Sequence, residues 1–136
     1  RNHQFVTSYL PAGKDATVVW GAQDFKFVNS RKYPIRLTAT VENGVATIQV
    51  WGVKEEVEYD ISIETKKIAT INPTIQYVQD SSLAAGEQKV VQAGSSGRKV
   101  EAYKVMRLNG QVVSTTLLSR DTYNAMARII RVGTGN

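Results

Sequence analysis

Hydrophobic and polar positions alternate with a period of two along most of this chain, which is the pattern of β-strands that bury one face. Residues 35–41 alternate in this way, and residues 46–50 do so again after a short polar break. The break contains Asn43-Gly44, a pair that adopts the positive φ values of a type I′ turn at low cost. The first half of the chain therefore predicts a β-hairpin.

Further strands are predicted along the rest of the chain. Residues 57–64 alternate with one acidic face, and Asn72-Pro73 ends that region because proline lacks an amide donor. Asn109-Gly110 predicts a second hairpin turn, and Lys104 predicts a bulge or an exposed end in its strand. The remaining pattern predicts a polar turn at 79–82 and strands at 74–78, 89–92, 98–108, 112–113, 117–118 and 128–132. The expected fold class is all-β, with elongated antiparallel hairpins and small sheets.

Composition and charge narrow the choice of partners. The chain has 136 residues, no cysteine, and 17 basic against 12 acidic side chains, for a formal net charge of +5. This charge favours polyanions such as teichoic-type wall polymers, but the basic residues are scattered, so we expect no nucleic-acid partner. The lack of cysteine excludes disulfides, thiolate zinc sites and cysteine nucleophiles within the chain.

The ends and the apolar runs of the chain carry two further expectations. No apolar run approaches the length of a membrane-spanning helix, so we expect no membrane span. The sequence begins on Arg1-Asn2-His3 without a methionine, and we expect it to be a piece of a longer protein.

Glycine spacing in the second half resembles that of a known family. The matching stretches are 83–86, 90–97, the Asn109-Gly110 turn and 128–134. Residues 73–135 resemble the five-glycine (G5) domain of bacterial surface and cell-wall proteins. The resemblance implies a thin, extended β structure with little core, in which the glycines serve backbone geometry. These glycines are Gly86, Gly94, Gly97, Gly110 and Gly133.

The first third resembles a second family. Arg1-Asn2-His3, residues 9–18 and 24–29, and the hairpin region 33–52 are similar to the closing part of VanW-type domains, which are named from vancomycin-resistance gene clusters. Family domains are longer, and their upstream part carries a cysteine that this chain lacks. A Cys–His arrangement is therefore a hypothesis for a whole protein only. Within this chain we expect His3 to be exposed and inert.

The two resemblances divide the chain and imply where it works. We expect a VanW-like part at 1–53, a connecting strand at 54–72 and a G5 domain at 73–136. The families imply an extracellular protein of the bacterial cell envelope, of the Gram-positive type. Neither resemblance fixes an oligomeric state.

Candidate chemistry in the sequence is sparse. The carboxylates at 55–60 belong to a wet strand face, without the apolar pocket that would raise the pKa of an acid. Some G5 proteins are implied to assemble with zinc, but one histidine and no cysteine offer no ligand set, so we predict no metal. We also predict no catalytic residue and no cofactor. Trp20 and Trp51 are expected as core or interface anchors. Candidate sugar contacts are Tyr77, Tyr103, Tyr123 and Asn109, with Gln111, Asp121 and Asn124 as further polar partners.

The predicted function is a non-catalytic cell-envelope module that binds or attaches to cell-wall glycan. The families imply N-acetylglucosamine-type sugars of peptidoglycan, and Arg98, Lys99 and Lys104 would draw the module toward anionic wall polymers. Two alternatives stay open. The G5 part could be a structural spacer or assembly module without sugar binding. The chain could also be the C-terminal support of a peptidoglycan-acting enzyme whose catalytic part lies upstream.

Overall fold

The fold is all-β, as the alternation predicts. The computed structural model describes residues 2–135, and none of these residues lies in a helix. The strands are β1 (Arg36–Glu42), β2 (Val45–Trp51), β3 (Asp60–Ile71), β4 (Ile75–Ala84), β5 (Gln88–Gln92), β6 (Gly97–Leu108), β7 (Gln111–Tyr123) and β8 (Arg128–Gly135). They form a two-stranded hairpin β1-β2, a three-stranded central sheet β3-β6-β7 and a three-stranded terminal sheet β4-β8-β5.

Both predicted hairpin turns are confirmed. Asn43 and Gly44 join β1 to β2 with φ values of 50° and 77°, which is the left-handed pair that a type I′ turn requires. Asn109 and Gly110 join β6 to β7 in the same way, with φ values of 50° and 79°. Asparagine and glycine tolerate this conformation better than other residues, so local sequence sets the register in which each of these two antiparallel pairs begins.

The central sheet is built on β6, which pairs antiparallel with β3 on one side and with β7 on the other. The predicted connecting segment 54–72 contains β3, and β3 pairs along its length with β6. The β6–β7 register shifts between Ala102 and Tyr103 and again between Met106 and Arg107, so two bulges flank Lys104.

The terminal sheet differs from the predicted pattern in two ways. β8 pairs with β5 antiparallel but with β4 parallel, a long-range pairing that no hairpin signal announces. The predicted polar turn at 79–82 is wrong, because β4 continues through these residues to Ala84. Its pairing with β8 is irregular between Asp80 and Ala84, where the Ser82 amide donates to the Asp80 carboxylate at 2.9 Å.

Two of the glycines lie where backbone crosses backbone. A β-carbon on Gly97 would collide with the Tyr123 carbonyl oxygen and would lie 2.5 Å from the Ala125 nitrogen. A β-carbon on Gly133 would collide with the Ala84 carbonyl. At both crossings two backbone segments touch with no side chain between them, at the end of the central sheet for Gly97 and within the terminal sheet for Gly133.

The buried core is small and lies mainly on β6. The buried apolar side chains within residues 2–135 are Val100, Ala102, Val105, Tyr123 and Ile130. An N-terminal segment, residues 2–15, covers one face of the central sheet, where a β-carbon on Gly13 would lie 3.1 Å from the side chains of Thr65 and Val100. Main-chain contact supports the covering, since the Asn124 amide donates to the Gln4 carbonyl at 2.8 Å.

The β1-β2 hairpin contributes nothing to this core. Its residues are exposed on both faces, except for the half-buried Thr38. The prediction that Trp20 and Trp51 anchor a core is wrong for the described chain, because the two side chains are 103% and 56% exposed. Trp51 only donates its indole N–H to the Thr38 hydroxyl, at 3.2 Å.

The crossing at Gly97 predicts a graded effect of glycine substitution. Gly97→Ala places a methyl group against fixed backbone, so we expect it to lower the free energy of unfolding by about 3 kcal/mol. Gly110→Asn is the matched control, because its surroundings are open and asparagine accepts a positive φ, at a cost of about 1 kcal/mol or less. Urea denaturation followed by circular dichroism measures both. Equal losses for the two variants would contradict the backbone role of Gly97.

Candidate functional site

One face of the central sheet carries an aromatic ring among charged groups. Paired residues of antiparallel strands share a face, so Tyr103 of β6 lies beside Glu64 of β3 and Leu117 of β7. Residues two positions away along each strand point the same way. The tyrosine face, as we call it, includes Ser62, Glu64, Lys66, Glu101, Tyr103, Val105, Arg107, Leu117 and Arg120.

Two ion pairs flank the ring of Tyr103 on this face. On one side Arg107 donates to the Ser62 hydroxyl at 2.8 Å and to the Glu64 carboxylate at 2.5 Å. On the other side Arg120 Nε donates to Glu101 at 2.9 Å, and the Tyr103 hydroxyl donates to the second oxygen of the same carboxylate. The ring is therefore held in place by its hydroxyl and bordered by donors and acceptors.

The electrostatics of the tyrosine face keep its carboxylates ionised. The hydrogen bond from Tyr103 lowers the pKa of Glu101, and Arg120 lowers it further. The guanidinium of Arg107 lowers the pKa of Glu64 by hydrogen bonding. At neutral pH the face thus presents fixed, alternating charges rather than a field of one sign.

A shallow groove runs over this arrangement. It has a volume of about 360 Å³ and is lined by Glu64, Tyr103, Val105, Arg107 and Thr115, among others. Val105 is 4% exposed and supplies an apolar floor, while the charged groups rise at the edges. An apolar floor with a few polar groups at the rim can hold a small polar ligand in a fixed orientation.

The other predicted sugar contacts are not brought together with Tyr103. Tyr77 is 64% exposed but lies on β4 in the terminal sheet. Asn109 lies in the β6–β7 turn, six residues from Tyr103, which corresponds to about 20 Å along an extended strand. Each remains a separate surface position, and only Tyr103 lies in a groove with charged neighbours.

The candidate Tyr123 needs correction, because its side chain is 0% exposed and cannot present a ring to a ligand. Its hydroxyl accepts the Gly13 amide at 2.6 Å and donates to the Asp15 carboxylate. Tyr123 therefore ties the N-terminal segment to the end of β7. Alternation alone gave no signal of this role, since the partners lie more than one hundred positions apart in sequence.

Asp15 is the acceptor on which this contact depends. Its side chain is 1% exposed, and its second oxygen accepts the His3 amide at 2.8 Å and faces the His3 Nδ1 at 2.7 Å. Burial works against ionisation, but the hydrogen bonds from His3 and Tyr123 outweigh it and lower the pKa of Asp15 to about 2. Burial, together with the bond to Asp15, raises the pKa of Tyr123 to about 12.

The expectation of an exposed, inert His3 is wrong as to exposure. Its side chain is 30% exposed, and both ring nitrogens have partners, Asp15 at Nδ1 and the Tyr9 hydroxyl at Nε2. A sequence signal for this pairing was available only through the resemblance to VanW-type domains, because both His3 and Asp15 lie in the stretches that carry it.

The described residues offer neither a clustered metal site nor a membrane-spanning helix. No group of three or more metal-binding side chains occurs within residues 2–135. None of these residues forms a helix with the length and hydrophobicity that a membrane crossing requires.

Comparison with known families agrees with both resemblances. The model of the G5 domain matches residues 62–135, and the chain belongs to the G5 domain family. The model described as VanW like protein matches residues 1–51. G5 domains are generally non-catalytic binding modules, and both domains are typical of cell-envelope proteins.

Individual relatives are similar over parts of the chain. The uncharacterized protein YoaR of Bacillus subtilis (strain 168) is 38% identical over 50 residues, which are 37% of this chain and 16% of YoaR. The chain thus spans a small part of the length of this curated relative. The solved IgA1 protease G5 domain is 28% identical, with a TM-score of 0.42, over 62% of this chain and 100% of that domain. The HP0197-G5 crystal structure is 26% identical, with a TM-score of 0.34, over 56% and 99%.

The buried carboxylate predicts a pH-dependent contribution to stability. Because the folded state lowers the pKa of Asp15 from 3.8 to about 2, its contribution is complete above about pH 4 and is lost as the pH falls toward 2. A shift of this size corresponds to about 2 kcal/mol. We expect Asp15→Asn to lower the free energy of unfolding by about this amount at pH 6 and by little at pH 2, in urea denaturation. A loss that stays constant between these pH values would contradict the ionised, hydrogen-bonded state of Asp15.

Proposed function

We propose that the G5 part of this chain is a non-catalytic, extracellular binding module of the bacterial cell envelope, which takes a glycan of the N-acetylglucosamine type on the tyrosine face. One observation carries the proposal, namely the Tyr103 ring in a groove with the apolar Val105 and with an ion pair on each side. The general character of G5 domains as binding modules supports it.

The chemistry of an N-acetylated sugar suits these groups. The C–H face of a pyranose ring packs on an aromatic face, and Tyr103 offers a ring whose hydroxyl is already held by Glu101. The carboxylates of Glu64 and Glu101 accept from sugar hydroxyls, and Arg107 donates to an acetamide or ether oxygen. The near balance of opposite charges on this face favours an uncharged glycan over a strongly anionic one.

The proposed division of the chain follows the two families. It places the VanW-like part at 1–53, the connection at 54–72 and the G5 domain at 73–136, with β3 as the strand by which the connection joins the central sheet.

An open groove on a rigid sheet suits repeated weak contacts along a polymer better than tight capture of one small molecule.

A second candidate is a structural spacer that binds no sugar. The observation in its favour is the shape of the G5 part, which consists of three-stranded sheets with few buried side chains. Such a thin unit can separate its neighbours without a ligand. The first candidate requires a glycan to bind the tyrosine face, and the spacer requires that no glycan binds there.

Titration with a neutral N-acetylglucosamine tetramer tests the proposal. In ¹H–¹⁵N NMR spectra we expect shifts that cluster at Glu101, Tyr103 and Arg107. Tyr103→Ala should weaken the fitted affinity by about tenfold, which corresponds to about 1.4 kcal/mol. Tyr77→Ala removes a more exposed ring from the other sheet and should leave the affinity unchanged. A spectrum that does not respond to the tetramer or to soluble muropeptides would favour the spacer.

Salt dependence separates the glycan from an anionic wall polymer as the partner. Exposed charges are screened within about 8 Å at physiological ionic strength, so binding driven by the net charge of +5 weakens steeply with salt. We expect the affinity for the neutral tetramer to change by less than about twofold between 50 and 500 mM NaCl. Tighter and strongly salt-dependent binding of a teichoic-type polymer would instead assign the module to that polyanion.

A further inference from the structure

The His3 imidazole lies between a buried carboxylate and a surface phenol. Its Nδ1 is 2.7 Å from Asp15 Oδ2, and its Nε2 is 3.1 Å from the Tyr9 hydroxyl. The rings of His3 and Tyr9 meet edge to face, with centroids 6.0 Å apart. The three groups therefore form a line from the interior of the protein to its surface.

The carboxylate fixes which nitrogen of His3 carries the proton. An ionised Asp15 can only accept hydrogen bonds, so Nδ1 donates to it. In the neutral imidazole the lone pair is then on Nε2, the nitrogen that points away from Asp15. The Tyr9 hydroxyl donates to that lone pair.

The G5 part of the chain holds this carboxylate in position. Asp15 Oδ1 accepts from the Tyr123 hydroxyl, and Tyr123 is fully buried at the end of β7. The Gly13 amide donates to the same hydroxyl at 2.6 Å, so the Tyr123 hydroxyl holds the loop at both Gly13 and Asp15. The orientation of His3 thus depends on a side chain from the neighbouring domain.

The Nε2 side of the ring is covered by one surface side chain. The His3 side chain is 30% exposed, and Tyr9, which covers Nε2, is itself 67% exposed. A side chain with so little packing can rotate away, leaving an oriented lone pair at the surface. An imidazole with a carboxylate on one nitrogen, and on the other a single exposed hydroxyl that can leave, has the arrangement of a general base.

We propose that His3 is a general base for hydrolytic acyl transfer, with Asp15 and Tyr123 as positioning residues. His3 Nε2 takes a proton from a water molecule as the water oxygen bonds to the carbonyl carbon of an ester or amide. The bond from that carbon to the leaving oxygen or nitrogen then breaks, and the proton passes from Nε2 to the leaving group. The products are an acid and an alcohol or amine, and His3 returns to its neutral form. This inference concerns the N-terminal segment and is independent of glycan binding by the tyrosine face.

The tautomer is the first test, and it needs no substrate. The chain contains one histidine, so the imidazole ¹⁵N signals report on His3 alone. At pH 8 we expect a protonated Nδ1 and an unprotonated Nε2. Asp15→Asn should produce a mixture of tautomers, while Asp121→Asn, a carboxylate on β7 that does not contact His3, should leave them unchanged. A wild-type ring protonated mainly at Nε2 would overturn the assignment.

Hydrolysis of p-nitrophenyl acetate by the intact chain is the second test. His3→Gln keeps a hydrogen-bonding side chain but has no base, and we expect it to lower the protein-dependent rate by about 100-fold, the lower end of what a positioned base contributes. Tyr9→Phe removes the competing donor and should raise the rate by about 2- to 10-fold, the factor that one hydrogen bond is worth.

Thermal unfolding of each variant separates the proposed chemistry from a purely structural role. A structural His3 would lower the melting temperature when replaced and would leave the rate without any response to Tyr9→Phe. Equal rates for wild type, His3→Gln and Tyr9→Phe, in variants that unfold at the same temperature, would overturn the proposal.

Discussion

The hydrogen bond from Tyr123 to Asp15 connects the two families represented in this chain. The hydroxyl belongs to Tyr123, within the residues that match the G5 domain, and the carboxylate belongs to Asp15, within the residues that match the VanW-like model. Burial keeps the phenol of Tyr123 neutral, and the surrounding hydrogen-bond donors keep the carboxylate of Asp15 ionised. A buried donor and a buried acceptor of this kind are costly to separate, because each would be left without a partner away from water. The N-terminal segment therefore stays on the central sheet, and the small core beneath it stays covered.

A thin β structure needs another source of rigidity than a thick core. Here backbone segments meet through direct main-chain contact, and glycine occupies the positions of closest approach, at the end of the central sheet for Gly97 and within the terminal sheet for Gly133. The bridge between Ser95 and Met126 and the bond from Gln92 to the Ala127 carbonyl lie beside the first of these crossings. Hydrogen bonds between backbones are directional, so the Ser95–Met126 bridge holds the β5–β6 and β7–β8 connections against each other where few apolar contacts could do so.

Local patterns in the sequence were enough for part of this structure. The alternation and the two Asn-Gly pairs identified the strands of both hairpins, because the turn sets the register between neighbouring segments. The parallel pairing of β4 with β8 was missed, and with it the continuation of β4 through Ser82, because the partner lies about fifty positions away. The burial of Tyr123 was missed for the same reason. The alternation pattern around Tyr123 is also that of a strand with an exposed tyrosine. Only the contact with the N-terminal segment distinguishes the two cases. The resemblances located His3, but only the fold brought it to Asp15.

The alternation of a single strand separates the two proposed sites. On β6, Val100 and Ala102 point toward the N-terminal segment, where Gly13 packs against them. Glu101 and Tyr103 point to the opposite side and form the tyrosine face. Because successive side chains of a strand alternate between faces, one face can hold a glycan while the other positions the carboxylate behind His3, with no shared side chain. The sheet between them is rigid and shared. The two proposed roles are therefore compatible within one chain, because they use opposite faces of the same sheet.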